Sequence, residues 1–261
     1  MKKLLLLYLI YLPLFATDYA LIITIGNYKD RAIPKLRNYK TDIKNYNEIL
    51  YNYRVNSKNI YKLVNDKATK KNIKNSLSSI AHKIKKNDRF FMFFSGHGTS
   101  LFDENYSQQL QEAGLTNIMK SSGAILPYNF DSKNINKTLI IGKRDFRPQL
   151  KKIDLKGVES LVVFDACFSE NSIRRESIKW INRTPNILTK SGSYPYKNIV
   201  YIASSIIQSQ SGRFSPILKS CLNNRNIELI SLKSCINTKI RGSMQIPAIL
   251  ANHNKTAIFK K

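Results

Sequence analysis

Two apolar patterns alternate along the chain. Continuous runs at 19–26, 89–95, 159–165 and 199–203 have no polar face, as expected of strands buried on both sides. Between them apolar residues recur at helical spacing: Ile43, Tyr46, Ile49 and Leu50, and then Ile73, Leu77, Ile80 and Ile84 behind a predicted N-cap at Thr69. A helix-like run covers 146–153, and Ser215-Pro216 predicts the start of another helix through Ile217, Leu218 and Leu222, with the serine as cap. Shorter strands are predicted at 59–64 and 124–127. Another at 245–250 belongs at a sheet edge, because Pro247 cannot donate to an interior ladder. Strands alternating with helices predict an α/β fold, a mostly parallel central sheet with helices on both faces.

The first residues stand apart from this pattern. Lys2 and Lys3, an apolar run to Phe15 and then Ala16-Thr17-Asp18 form the three-part layout of a secretory signal peptide, and the run is too short to span a bilayer. The expected organisation is a signal peptide at 1–16 and one domain at 17–261, with a Ser-, Arg-, Lys- and Pro-rich linker at 169–197 inside it. Export, to a periplasm or beyond the cell, follows.

The 261 residues carry a formal net charge of +26, and 43% of them are hydrophobic, which excludes intrinsic disorder. The lysines are scattered and no nucleic-acid-binding motif accompanies them, so the charge predicts nonspecific contact with anionic envelope polymers and no specific nucleic acid. With 3 His and 3 Cys, a metal cage and a disulfide scaffold are both excluded. Cys221 and Cys235 read as two buried thiols flanking a short helical region. The alternative is a disulfide closing a loop of about 15 residues.

Candidate chemistry sits where two buried runs stop. Ligands of an open α/β sheet bind outside the carboxyl ends of its strands. Ser95-Gly96-His97-Gly98 ends one central run and Asp165-Ala166-Cys167 the next. If those strands are neighbours, imidazole and thiol face one cleft. An imidazole that takes the thiol proton makes a nucleophile of a group only a few per cent ionised at neutral pH.

Ser95 to Gly98 and Asp165-Ala166-Cys167-Phe168-Ser169 resemble the motifs of caspase-like cysteine peptidases, closest to the metacaspase branch, over nearly the whole mature chain. The resemblance implies a caspase-like α/β fold and peptide-bond hydrolysis by a dyad, with His97 the general base and Cys167 the nucleophile. Backbone N–H groups of Gly98 and Cys167 would hold the oxyanion. His97 and Cys167 stand farther apart than the about 50 residues of the caspase signature, the excess being the polar stretch 99–122. Asp165 replaces the caspase glutamine. By the same resemblance Asp42, Ser95 and Asp165 line the primary specificity pocket, where negative charge favours Arg or Lys over Asp.

Tyr39 stands where many of those enzymes have a small residue or cysteine, a difference expected either to narrow the pocket or to redirect its preference. From the residues alone, Asp42 also fits a helix N-terminal acid stabilised by the macrodipole. Metacaspase-like enzymes often require calcium. Asp103 and Glu104 lie in the polar stretch, but no calcium loop is recognisable, so no cofactor is assigned. The basic linker after Cys167 resembles the place where family members are cut during maturation. The alternative to a peptidase is a catalytically silent caspase-fold protein that binds peptides or partners at the same cleft. His82 and His253 are expected at the surface.

Overall fold

In the computed structural model, which describes residues 16–101, 103, 105–166, 194–204, 212–243 and 245–259, the apolar runs become the interior of one sheet. In chain order the strands are β1 (Asp18–Thr24), β2 (Ile60–Val64), β3 (Arg89–Ser95), β4 (Gly98–Thr99), β5 (Ala124–Ile125), β6 (Ile140–Ile141), β7 (Glu159–Asp165), β8 (Ile199–Ala203) and β9 (Ala248–Leu250). Six of them pair in the order β2-β1-β3-β7-β8-β9, parallel except for β9. Pro247 immediately precedes that edge strand, as the missing N–H requires. The small strands β4, β5 and β6 form a separate antiparallel sheet just after β3.

The helices are α1 (Tyr39–Asn52), α2 (Lys70–Lys83), α3 (Ser107–Glu112), α4 (Thr116–Met119), α5 (Ile135–Thr138), α6 (Arg147–Leu155), α7 (Phe214–Cys221) and α8 (Leu229–Lys239). Thr69 caps α2 as predicted, its hydroxyl accepting from the Asn72 N–H. At the other end of α2 the Lys156 Nζ donates to the carbonyls of Ala81, His82 and Ile84, a cation placed where the helix dipole is negative.

Strand alternation divides the core. Phe90, Met92 and Phe94 of β3 face a cluster containing Leu77 and Ile80 of α2 and Leu150 and Ile153 of α6. Phe91 and Phe93 face the opposite cluster, with Tyr46 and Ile49 of α1, Leu218 of α7 and Ile236 of α8. Each such side chain contributes about 1.5 to 3 kcal/mol on burial.

Two expectations are corrected. Ser215 does not cap α7. The helix starts one residue earlier, at Phe214, and the serine hydroxyl is directed to Asp42 instead. Cys221 and Cys235 are not separate thiols. They form a disulfide with Cα atoms 5.8 Å apart that joins Cys221, the end of α7, to Cys235 inside α8, and the first residues of α8, 229–234, are the helical stretch expected between them. The bridge fastens α8 to the helix that carries Ser215.

Closing a loop of this size stabilises by about 3 kcal/mol in the chain-entropy account. Replacing both cysteines by serine is therefore expected to lower the unfolding free energy by about 3 kcal/mol and, because the freed unfolded chain exposes more surface, to steepen the urea dependence, as measured by fluorescence-detected unfolding.

Candidate active site

Three parallel strands end level with one another. The register pairs Thr24 of β1 with Ser95 of β3, and Ser95 with Asp165 of β7. Because side chains alternate, all three project on the face covered by α1 and α7. There they meet Asp42, Asn45 and Tyr46 of α1 and Ser215 of α7, all buried.

The Asp42 carboxylate is the centre of this cluster. Its Oδ2 accepts from the Ser95 hydroxyl at 2.6 Å and its Oδ1 from the Ser215 hydroxyl at 2.6 Å, while Asn45 Nδ2 donates to Ser215 Oγ at 3.0 Å. Burial raises the Asp42 carboxyl above its usual value, and the two serines pull it partly back. Asp42 does lie in the first turn of α1, so the helix-terminus placement holds. Its function in the fold is nonetheless to tie β3 to α7. Tyr46 stacks on Phe93 with ring centroids 4.7 Å apart, and burial pushes its phenol far above the ordinary value, with the charges of Asp165 and Asp42 adding to the shift.

His97 follows β3 and is held from three sides. Its backbone N–H donates to the Tyr28 hydroxyl at 2.7 Å, its carbonyl accepts from the Leu126 N–H at 3.0 Å, and its Nε2 lies 2.8 Å from the Pro34 carbonyl. A carbonyl can only accept, so Nε2 carries the hydrogen and Nδ1 keeps the lone pair. The Tyr28 ring lies against the imidazole at 5.3 Å. Gly96 makes room for that phenol, since a Cβ there would stand 3.1 Å from the Tyr28 hydroxyl and 2.7 Å from the end of the Phe94 ring. Neither Tyr28 nor Pro34 is legible as a site residue in the sequence: one reads as core, and the other acts through its backbone.

Gly98 pairs with Ile125, and the bond from the Leu126 N–H to the His97 carbonyl makes this a non-hydrogen-bonded pair. Its N–H therefore stays out of the β4–β5 ladder. Cys167 lies outside the described residues. So do Glu104, residues 1–15 of the predicted signal peptide and most of the basic linker. The last described residue before the gap is Ala166, buried next to Asp165.

Asp103 is buried and committed to its own loop, accepting from the Thr99 hydroxyl at 2.6 Å and from the Asn105 backbone and side chain at 3.0 Å each. Among the described residues no group of three or more His, Cys, Asp or Glu could hold a metal ion. His82 and His253 are exposed.

Tyr39, the first residue of α1, does not stand free. Its ring covers Gly26 at the end of β1 so closely that a Cβ at Gly26 would fall within it. Gly26→Ala is expected to cost about 1 to 3 kcal/mol by overpacking. Adding Tyr39→Ala should restore most of that loss, so urea unfolding of the two single variants and the double variant will show strong coupling.

Residues 17–255 match the family model described as the caspase domain, which takes in every strand and helix named above. No curated protein matches the chain. The parallel sheet with helices on both faces is the architecture expected of that family, and the chain belongs to the caspase-domain family of cysteine peptidases.

Proposed function

We propose that the protein is an exported cysteine endopeptidase of metacaspase type, which hydrolyses peptide bonds after Arg or Lys with His97 as base and Cys167 as nucleophile. The observation that carries it is the parallel register of β3 and β7. Counting two residues on from the Ser95–Asp165 pair gives position 97 past the end of β3 and position 167 past the end of β7. That equal count supports a reading in which imidazole and thiol share one sheet edge.

The Pro34 carbonyl occupies Nε2, so the thiol proton goes to Nδ1. The thiolate adds to the substrate carbonyl carbon and the developing oxyanion takes the N–H groups of Gly98 and Cys167. Nδ1 then gives its proton to the departing amine as the C–N bond breaks, leaving a thioester. A water, losing a proton to the same Nδ1, adds to the thioester, and its collapse returns the proton to sulfur and releases the acid.

Asp42, Ser95 and Asp165 form the primary pocket, with Ser215 and Asn45 behind Asp42. Two buried carboxylates at one spot suit a guanidinium or ammonium group, because a cation offsets their negative charge where solvent cannot. Export is supported by the disulfide, which persists in oxidising compartments, and by the entry of the chain into β1 at Asp18, directly after the leader.

The test is hydrolysis of short fluorogenic peptides ending in Arg, Lys or Asp, with and without calcium. Folded wild type should cleave the Arg and Lys peptides, and Cys167→Ala or His97→Ala should lower the rate at least about a thousandfold. Preference for Asp would overturn the pocket, and no turnover by folded protein would favour the silent binding protein.

Asp42 should also leave a pH signature of two opposite signs. A cation is attracted only by the ionised carboxylate, so KM for the Arg peptide should rise as pH falls through the raised Asp42 value. The native state holds that proton more tightly than the unfolded chain, whose carboxyl has the usual value of 3.8. This contribution to stability therefore declines as pH climbs from 3.8 through the raised value. Asp42→Asn should abolish both slopes and raise KM about tenfold or more, as read from KM and urea unfolding against pH.

A further inference from the structure

The loop from β1 to α1 passes directly behind His97 and is heavily basic. Lys29, Arg31, Lys35, Arg37 and, at the start of α1, Lys40 are all exposed, and none of these five forms an ion pair among the described residues. The one acid of the loop, Asp30, accepts at its Oδ1 from the Ala32 N–H at 2.9 Å. Exposed Arg213 extends the patch: its neighbour Gly212 packs against Asn38 so closely that a Cβ there would strike that side chain.

The loop is also fixed in place. The Lys29 N–H donates to the Tyr128 carbonyl at 3.0 Å and the Leu36 N–H to the Gly26 carbonyl at 2.9 Å. Ile33 is buried in the core, and the Pro34 carbonyl is the partner of His97 Nε2. The cations therefore stand on an anchored frame whose Pro34 carbonyl touches His97. What marks the loop is its density, five exposed cations within residues 29–40, where other parts of the surface hold ion pairs such as those of Lys74 and Arg144 with Asp145 and of Lys219 with Glu48.

From this we infer that the site selects polypeptides in which acidic residues flank the basic residue at the cut. The inference rests on the peptidase reading and extends it from one pocket to the neighbouring subsites. A chain whose cation enters the Asp42–Asp165 pocket must pass the basic loop on its way in or out. Asp or Glu in that stretch meets unpaired cations, and Lys or Arg there is repelled. Polypeptide is favoured over nucleic acid because the peptidase reading sets the carboxylates of Asp42 and Asp165 beside the loop, and these repel a phosphate chain.

The experiment measures binding to full-length Cys167→Ala protein by fluorescence anisotropy, using peptides with one central Arg and flanks of Asp/Glu, Ser or Lys, the acids before, after or on both sides. At low salt the acidic flanks should tighten binding at least about tenfold over Ser, Lys flanks should weaken it, and the differences should shrink at 0.15 M salt, where the field is screened over about 8 Å. The triple variant Arg31→Ser, Lys35→Ser, Arg37→Ser should bring the acidic-to-neutral ratio close to one. The pair Lys71→Ser, Lys86→Ser, on and after α2, should leave that ratio as it was.

Equal affinity for acidic and neutral flanks would overturn the inference, as would an equal loss in the α2 variant. A single-stranded DNA oligomer that outcompetes the acidic peptide, and loses this advantage in the triple variant, would make the loop a general polyanion surface and would overturn it too. Preferential binding of acidic flanks by protein whose wild type cleaves none of the peptides would uphold the inference and sink the peptidase reading alone.

Discussion

Everything at the candidate site depends on how β1, β3 and β7 are aligned. A strand presents alternate residues to opposite faces, so Phe91 and Phe93 cannot pack under α1 and α7 without placing Ser95 on the same side. A slip of one residue would exchange them for Phe90, Met92 and Phe94 and carry Ser95 away from Asp42. The hydrophobic register that holds the sheet together is therefore also the device that collects the polar ends. The core does not merely support the site from a distance.

That arrangement buries a carboxylate, and the surrounding side chains show how the fold tolerates it. Each Asp42 oxygen has a serine hydroxyl, one from β3 and one from α7. Removing either would leave a buried acceptor short of a partner at a cost of about 1 to 3 kcal/mol. Ser215 in turn is oriented by Asn45 and is carried by a helix whose far end is bonded through Cys221 to α8. The link from the disulfide to Ser215 is thus covalent and short, and a hydrogen bond carries it on to Asp42. Loosening α7 would act first on Ser215 and only through it on Asp42.

Strands and the two long amphipathic helices were legible in the chain because burial on both sides, or on one face, leaves a periodic signature. The level ends of β3 and β7 followed from where their apolar runs stop. What escaped has a physical pattern too. The short helices α3 and α4 fall in the stretch that reads as merely polar, with burial confined to single residues such as Leu110 and Met119. Ser215 before Pro216 fits an N-cap by local rules, yet a buried carboxylate from another helix competes for its hydroxyl and prevails. Pro34 could not be found because its contribution is a carbonyl, which every residue possesses. Tyr28 reads as core and is core, and only its hydroxyl touches His97. The cysteine pair needed three-dimensional proximity, which the run of residues between them does not encode.

On the proposed reading, a net charge of +26 and a pocket for cations contradict each other until distance is considered. Two charges about 4 Å apart interact by roughly 1 kcal/mol in water and about 4 kcal/mol at the effective dielectric of a protein margin. Lysines spread over the surface act across more than a screening length and cancel little of what Asp42 and Asp165 do to a group lodged beside them. The loop behind His97 is different because its cations lie within reach of a bound chain. The two fields then act on different parts of one substrate: the carboxylates on the side chain in the pocket, the basic loop on the residues that cannot enter it. A uniform acidic cleft would accept any basic stretch, whereas this juxtaposition favours an isolated cation among acids.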